Sequence, residues 1–289
     1  MANNQSGKII NFIQFNFVSV FVVLTVFLLF IPLPKVLIDI TMILNLAFSF
    51  IVLLAVLNTP RASDFQTFPR IILFQALFGL AINISSTRLI LLNEATVGYS
   101  EEQSAMVQAF ANIVAGDDVI IGFIIFLILI IVQVLVITKG ASRVSEVSAR
   151  FTLDSMSSKF FDIDNRFNSG VIDEQEALRL KDAIRREIDF YSNMDGSSKF
   201  VSGNVKAGIF ITIVNLVGGL IMGMINHDLS FTESLNTYSK LTIGDGLMSQ
   251  LPSLVISFAT GILVTGSKSD ESLTEQLKID FTRSGYIYI

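Results

Sequence analysis

The sequence has no cysteine and a single histidine, His227. The first absence excludes disulfides, zinc fingers and thiol nucleophiles, and leaves the redox compartment unreadable. The second excludes histidine metal clusters and a metalloprotease helix, which needs two histidines. Charge is scarce too: 16% of residues are charged against 52% hydrophobic, and the mean hydropathy is +0.65. That balance excludes an ordinary soluble globule. The charge that remains is acidic, net -5 with a pI near 5.0, which argues against binding nucleic acid. Enzyme motifs are also missing. Gly266-Ser267-Lys268-Ser269 has the composition of a phosphate loop, but Ser267 separates Gly266 from Lys268 and no strand precedes it. Ile243-Gly244-Asp245-Gly246 displaces the first glycine of an intramembrane aspartyl protease motif, and the partner aspartate motif is absent. The expectation is a chain that is not an enzyme and carries no cofactor or metal.

What the sequence has in abundance is long apolar runs. Six are long enough to cross a bilayer at about 20 residues each. They cover approximately 15–31, 36–57, 71–92, 119–137, 207–225 and 247–265. Pro32-Leu33-Pro34 cannot continue a helix, so the first two spans form a tight hairpin, and Asn58-Thr59-Pro60 marks a second break. The expected fold class is all-α: a polytopic transmembrane helical bundle of about six spans, with a small cytoplasmic domain inserted between spans four and five. Basic residues set its orientation, since cytoplasmic segments retain them during insertion. With the N-terminus inside, the inner connections 58–70, 138–206 and 266–289 carry two, eleven and three basic residues. The outer connections carry only Lys35 and Lys240, and 93–118 has Glu94, Glu101, Glu102, Asp117 and Asp118 without a single base. The parts are therefore 1–137, a membrane domain of spans one to four; 138–206, the cytoplasmic insert; 207–265, spans five and six; and 266–289, a cytoplasmic tail.

The insert balances eleven basic with eleven acidic residues. Within it, Ala177, Leu180, Ile184, Ile188 and Tyr191 recur at three- and four-residue steps, which is one face of an amphipathic helix closing a small core. Asp173 with Glu176 forms a capping-box pattern, and Asp182 to Arg186 is a favourable i,i+4 pair. Polar groups at membrane depth are the natural functional candidates, because ionisable groups in lipid are costly. Asp117, Asp118 and Asp245 are expected to cap helix starts, where a carboxylate meets orphan amides. Asp39, about one turn inside its helix, either snorkels to the outer interface or faces a polar interior. Asn45, Asn83, Gln133 and Asn215 are expected to make interhelical hydrogen bonds. Gly79, Gly218, Gly219 and Gly223 would permit close helix approach.

The cytoplasmic run from Val136 to Asp154, with Lys139-Gly140-Ala141-Ser142-Arg143 at its centre, resembles the signature of the FHIPEP family, the export gate proteins of flagellar and injectisome type III secretion. Further matches are Met194-Asp195-Gly196-Ser197-Ser198-Lys199-Phe200-Val201, Asn215-Leu216-Val217-Gly218-Gly219 and Leu241-Thr242-Ile243-Gly244-Asp245-Gly246-Leu247. Gly140-Ala141-Ser142-Arg143 and Asp189-Phe190-Tyr191 resemble the flagellar branch. The chain departs from the family where Met156-Ser157-Ser158-Lys159-Phe160-Phe161 replaces a Pro-Gly-containing run, where Asn204 follows Gly203 in place of aspartate, and at Lys206.

The resemblance implies a bacterial inner-membrane subunit of an export gate that moves unfolded flagellar proteins outward in exchange for a coupling ion, proton or sodium. It implies a homo-oligomeric ring beside other gate subunits, the basal-body ring and the export ATPase complex. Family members continue into a C-terminal domain that docks chaperone-bound substrates, so a chain ending at Ile289 is expected to be the N-terminal membrane part. Positions matching the motif make Asp195 the first ion-coupling candidate, with Lys199, Asp154, Arg143 and Arg150 beside it and Asp39 and Asp245 at the membrane. Structural ion pairing is the competing role for Arg143, Glu146, Arg150 and Asp154. An injectisome gate, a small-solute secondary transporter and a secretion-ring scaffold are the competing functions, although no inverted repeat supports a transporter.

Overall fold

The computed structural model describes residues 16–92, 103–116, 118–266 and 273–283. Among them the regular structure is helical throughout: α1 Phe17–Phe30, α2 Lys35–Leu57, α3 Phe68–Leu92, α4 Ala105–Ala115, α5 Val119–Gln133, α6 Ser142–Asn168, α7 Glu174–Asn226, α8 Phe231–Thr265 and α9 Leu273–Arg283. A π-helix, Val134–Ala141, joins α5 to α6, and a single 3-10 turn, Ala62–Asp64, lies between α2 and α3. An all-α polytopic bundle is what the apolar runs called for. Four helices, α2, α3, α7 and α8, are long and apolar enough to cross a bilayer, and α4 with α5 makes a fifth if that bent pair counts as one span. The described part of α1 has 14 residues. Glu94, Glu101, Glu102, Asp117, the run Ser267-Lys268-Ser269 and the segment 284–289 lie outside the described residues.

Both proline breaks fall where expected: residues 31–34 separate α1 from α2, and α2 ends at Leu57. Pro252 sits inside α8. Its missing amide leaves the ladder one donor short, a loss that membrane helices tolerate when neighbours supply partners. The nearby Gln250 carbonyl accepts a bond from Gln133 Nε2 at 3.4 Å, so Gln133 makes the interhelical contact expected of it.

Two helices differ from the sequence expectation in length. The fifth span is the C-terminal part of a 53-residue helix that begins at Glu174 in the insert. No proline interrupts the sequence between the amphipathic segment and the apolar one, and the backbone ladder runs through the turn-prone pairs Asp195-Gly196 and Ser202-Gly203. Likewise α8 begins at Phe231, well before the sixth apolar run. Its start is a capping box: Ser230 Oγ accepts from the Glu233 amide at 3.3 Å, and the Glu233 carboxylate accepts from the Ser230 amide at 2.9 Å and hydroxyl at 2.7 Å. The helix α4, in a segment read as an outer loop, was not anticipated. Its N-cap is Ser104, whose Oγ accepts from the Val107 amide at 3.2 Å.

The chain divides into two compact units, each discontinuous in sequence. One comprises residues up to Asn45, Leu77–Phe126 and Ala207–Ser249. Its packing relies on glycine. A β-carbon at Gly219 would fall 2.3 Å from the Tyr238 ring, and one at Gly223 would fall 2.2 Å from Ser234 Oγ, so α7 and α8 touch backbone to side chain as the glycine pattern implied. Arg88 of α3 donates to the Phe30 carbonyl at 2.9 Å and the Leu29 carbonyl at 3.2 Å, satisfying the end of α1.

The other unit comprises Leu46–Ala76, Leu127–Lys206 and Gln250–Ile289. Here α6 and the first part of α7 form an antiparallel hairpin whose small core joins Met156, Phe160 and Ile163 to Ile172, Ala177, Leu180, Ile184 and Ile188, the stripe expected of the amphipathic helix. Asp173 caps α7 by accepting from the Glu176 amide at 2.7 Å, but the Glu176 carboxylate turns to Arg179 instead of closing the box. The salt bridge of Asp182 is with Arg185 at 3.1 Å, one residue earlier than Arg186.

Candidate functional site

The most unusual group in the membrane part is Asp245. It lies in the interior of α8 and is 2% exposed. It is therefore not the helix-start cap expected of it: α8 starts fourteen residues earlier, so no orphan amides are near Asp245. Its carboxylate oxygen Oδ2 accepts a bond from Asn215 Nδ2 of α7 at 3.0 Å. The Ser86 hydroxyl of α3 lies beside the carboxylate, outside hydrogen-bond geometry. In this pair and the hydroxyl beside it, the buried oxygens Asp245 Oδ1, Asn215 Oδ1 and Ser86 Oγ have no hydrogen-bond partner, and neither has Thr242 Oγ1, three residues earlier on α8. All four residues are at most 3% exposed. A carboxylate buried with spare oxygen acceptors has two inexpensive states, protonated or occupied by a cation, because an unpaired charge in such a place is costly.

The glycines flanking Asp245 are shaped by their neighbours. A β-carbon at Gly244 would fall 2.0 Å from the Val107 carbonyl oxygen of α4, and one at Gly246 would fall 2.6 Å from the Phe126 ring of α5. Gly-Asp-Gly thus lets α4 and α5 approach α8 on either side of the carboxylate.

Asp39 takes neither of the two roles open to it from sequence. Its carboxylate reaches the N-terminus of α4, accepting from the Ser104 hydroxyl, the Ala105 amide at 3.2 Å and the Met106 amide at 3.1 Å. It is a cap supplied from another helix, favourable at the positive end of the α4 dipole. Asp118 caps α5 as expected, accepting from the Ile120 and Ile121 amides at 2.9 and 3.2 Å.

The signature residues of the insert are arranged differently. Asp195 lies inside α7, so it does not cap a helix, and its carboxylate meets Lys199 Nζ at 2.6 Å. The side chains are 33% and 66% exposed, and the carboxylate holds the Lys199 ammonium above its ordinary pKa. Arg143 pairs with Glu146 at 3.1 Å on the same helix, the structural role weighed for it. Arg150 and Asp154 are exposed on α6. Close packing of the signature segment comes from serines: Ser198 Oγ donates to Ser145 Oγ at 2.9 Å, and Ser142 Oγ donates to the Ser198 carbonyl at 3.1 Å. The structure therefore gathers Asp195 with Lys199 and Arg143 with Glu146 at the surface, and buries Asp245.

Sequence reasoning did not find Ser86, Thr242 or the α4 contact. The only signal for them was the unusual concentration of hydroxyls and amides in apolar helices, and it does not say which of them meet.

The model of the FHIPEP family matches residues 25–289. The chain is 47% identical over 287 residues to the flagellar biosynthesis protein FlhA of Treponema pallidum (strain Nichols), covering 98% of this chain and 40% of that protein. It is 46% identical over 290 residues to the FlhA of Borreliella burgdorferi, covering 99% of this chain and 40% of the relative. It is also 45% identical over 256 residues to the FlhA of Bacillus subtilis, covering 89% and 37%. The chain thus spans about 40% of the length of these curated relatives. No solved structure matches it.

Proposed function

Since the chain belongs to the FHIPEP family, we propose that it forms the membrane part of a flagellar type III export gate subunit, and that Asp245 is the group through which ion movement is coupled to protein export. The relatives named for flagellar biosynthesis support the flagellar reading over the injectisome one. The apolar helices and the basic residues of the insert support a multi-pass inner-membrane protein with a cytoplasmic N-terminus and a cytoplasmic hairpin at 138–206. Assembly into a ring beside the other gate subunits, with substrates, chaperones and the export ATPase complex as partners, follows from the same kinship. The subunit does not act as an enzyme and uses no cofactor besides the transported proton or sodium ion.

One observation carries the coupling role: a carboxylate 2% exposed, bonded to one amide, with its second oxygen and the adjoining Asn215 oxygen left without hydrogen-bond partners. Such a group changes its charge state only by taking up or losing a cation, and each change alters what its helix tolerates beside it. Asn215, on α7, registers the change directly through its hydrogen bond. The same helix carries the Asp195–Lys199 pair in its water-facing part, where an exposed ion pair exchanges partners readily.

The test is Asp245→Asn in the full-length protein. Asparagine keeps the size and one acceptor but cannot carry the charge. The expected result is at least a hundredfold loss of flagellar protein export, with membrane insertion and protein level unchanged. Near-normal export by this variant would remove Asp245 as the coupling group.

A further inference from the structure

The side chain of Asn83, on α3, is 5% exposed and makes no hydrogen bond among the described residues. It lies against α7: a β-carbon at Gly208 would sit 3.7 Å from Asn83 Nδ2. Further along both helices Leu91 lies against Gly218, its methyl groups 3.5 and 3.6 Å from where a β-carbon would be. The two helices therefore run side by side in the same direction, and Ser86, one turn past Asn83, is level with Thr212, one turn past Gly208. Thr212 also borders the helix of the carboxylate, since its Oγ1 is 3.6 Å from where Gly246 would carry a β-carbon. Gly208, Thr212 and Asn215 follow at steps of four and three and share one face of α7, as Asn83 and Ser86 share one face of α3.

These groups form a file that ends on Asp245, whose Oδ2 accepts from Asn215. The file begins near charge: Gly208 stands two residues past Lys206, the last charged residue of α7, and Asn215 stands only about 14 Å past Lys206 along the helix. Beyond Asp245 the same faces turn apolar. On α3 the next residue of the face is Ile90, 1% exposed. On α7 it is Gly219, followed by Gly223, and the Tyr238 ring fills the space that both leave. The amide of Asn83 and the hydroxyl of Ser86 are thus buried without a bond, an arrangement that is costly unless a polar species visits them.

We infer that the α3–α7 seam is the passage through which the cation held by Asp245 exchanges with water on the side of the charged part of α7, and that Leu91 and Tyr238 close the other side. Asn83, Thr212 and Ser86 supply oxygens that replace the water around a small cation in steps. Gly208 keeps the mouth free of a side chain. The inference rests on the reading of Asp245 as the coupling group, but its test measures access and not export, so the two fail separately.

Because the chain has no cysteine, single thiols can be placed in it. Ser169→Cys, exposed at the turn between α6 and α7, first identifies the side of sealed membranes on which the hairpin lies. A small positively charged methanethiosulfonate, applied to the full chain from that side, is expected to label Ser86→Cys at least tenfold faster than from the opposite side. Adding Asn83→Leu, which keeps the size of the side chain and removes its polarity, is expected to slow that labelling at least tenfold. Adding Gly208→Val is expected to slow it equally by filling the mouth. Labelling of Ser86→Cys that is faster from the opposite side, equal from both or absent from both overturns the passage. So does a rate that Asn83→Leu leaves unchanged. If Gly208→Val fails to accumulate in the membrane, Asn83→Leu decides the matter, because an apolar residue there suits an apolar helix.

Discussion

Helix α7 is one continuous helix made of two kinds of sequence. From Glu174 to Lys206 it is densely charged; from Ala207 to Asn226 it has no charged residue at all. In the first part, ion pairs form at i,i+3 and i,i+4 spacing, and their side chains stay largely exposed. Water can replace either partner, so each pair contributes little to stability. In the second part, one amide, Asn215, is 0% exposed and meets one buried carboxylate. Nothing around it substitutes for that partner at low cost. The packing differs in the same way. The hairpin of α6 and α7 is held by interlocking aliphatic side chains, whereas α7 against α8 is held by glycines that admit Tyr238 and Ser234. The comparison teaches that polar groups are numerous and individually dispensable in the hairpin, and few and individually decisive in the bundle.

The largest effect is therefore expected where the bundle has no slack. Gly219→Val would drive two methyl groups into the Tyr238 ring, and should destabilise the protein by about 3 kcal/mol in thermal unfolding of the detergent-solubilised chain. A loss as small as that of a surface substitution would mean that α7 and α8 do not pack as described. Next comes the hairpin core. Ile184→Ala should cost about 2 kcal/mol, read as faster hydrogen exchange confined to 150–190, since its cavity opens toward solvent and the site relaxes. Exchange that spreads equally through Leu77–Leu92 would erase the distinction between the two regions. Smaller still is the half-buried pair of Lys159 with Glu187, at 2.8 Å, where Glu187→Gln should cost about 0.5 to 1 kcal/mol and less in high salt. At the bottom, Arg185→Ala removes an exposed partner of Asp182 and should leave the unfolding temperature unchanged within error. A clear drop there would show that charges in the hairpin are not interchangeable with water.

Much of this architecture was legible because its signals are local. Apolar run length located the apolar helices, of which four, or five with the bent α4–α5 pair, are long enough to cross a bilayer where six were expected; prolines located the breaks at 31–34 and after Leu57, and three- and four-residue periodicity picked out the stripe of the insert. The candidate site was half legible. Asp245 and Asn215 both stand out as polar residues in apolar surroundings, but the role first assigned to Asp245 was a cap, because its apolar run begins only after it. The helix in fact starts at the Ser230 and Glu233 capping box, upstream of a stretch whose hydroxyls dilute the apolar signal. The helix α4 escaped notice for a related reason: eleven residues bounded by acidic segments fall below the length of a span.

Sequence alone determined that the chain is helical, that lipid surrounds much of it, and which segment is charged enough to live in water. These are consequences of composition and period, which act over a few turns of one helix. Only the tertiary structure decided that Asp245 meets Asn215 and that Asp39 of α2 fastens α4. Both contacts join residues far apart in sequence, and whether a buried carboxylate finds a partner depends on which helices pack together and at what rotation. In an apolar surrounding that choice is set by the few glycines and polar side chains that fit, and not by any local preference of the chain.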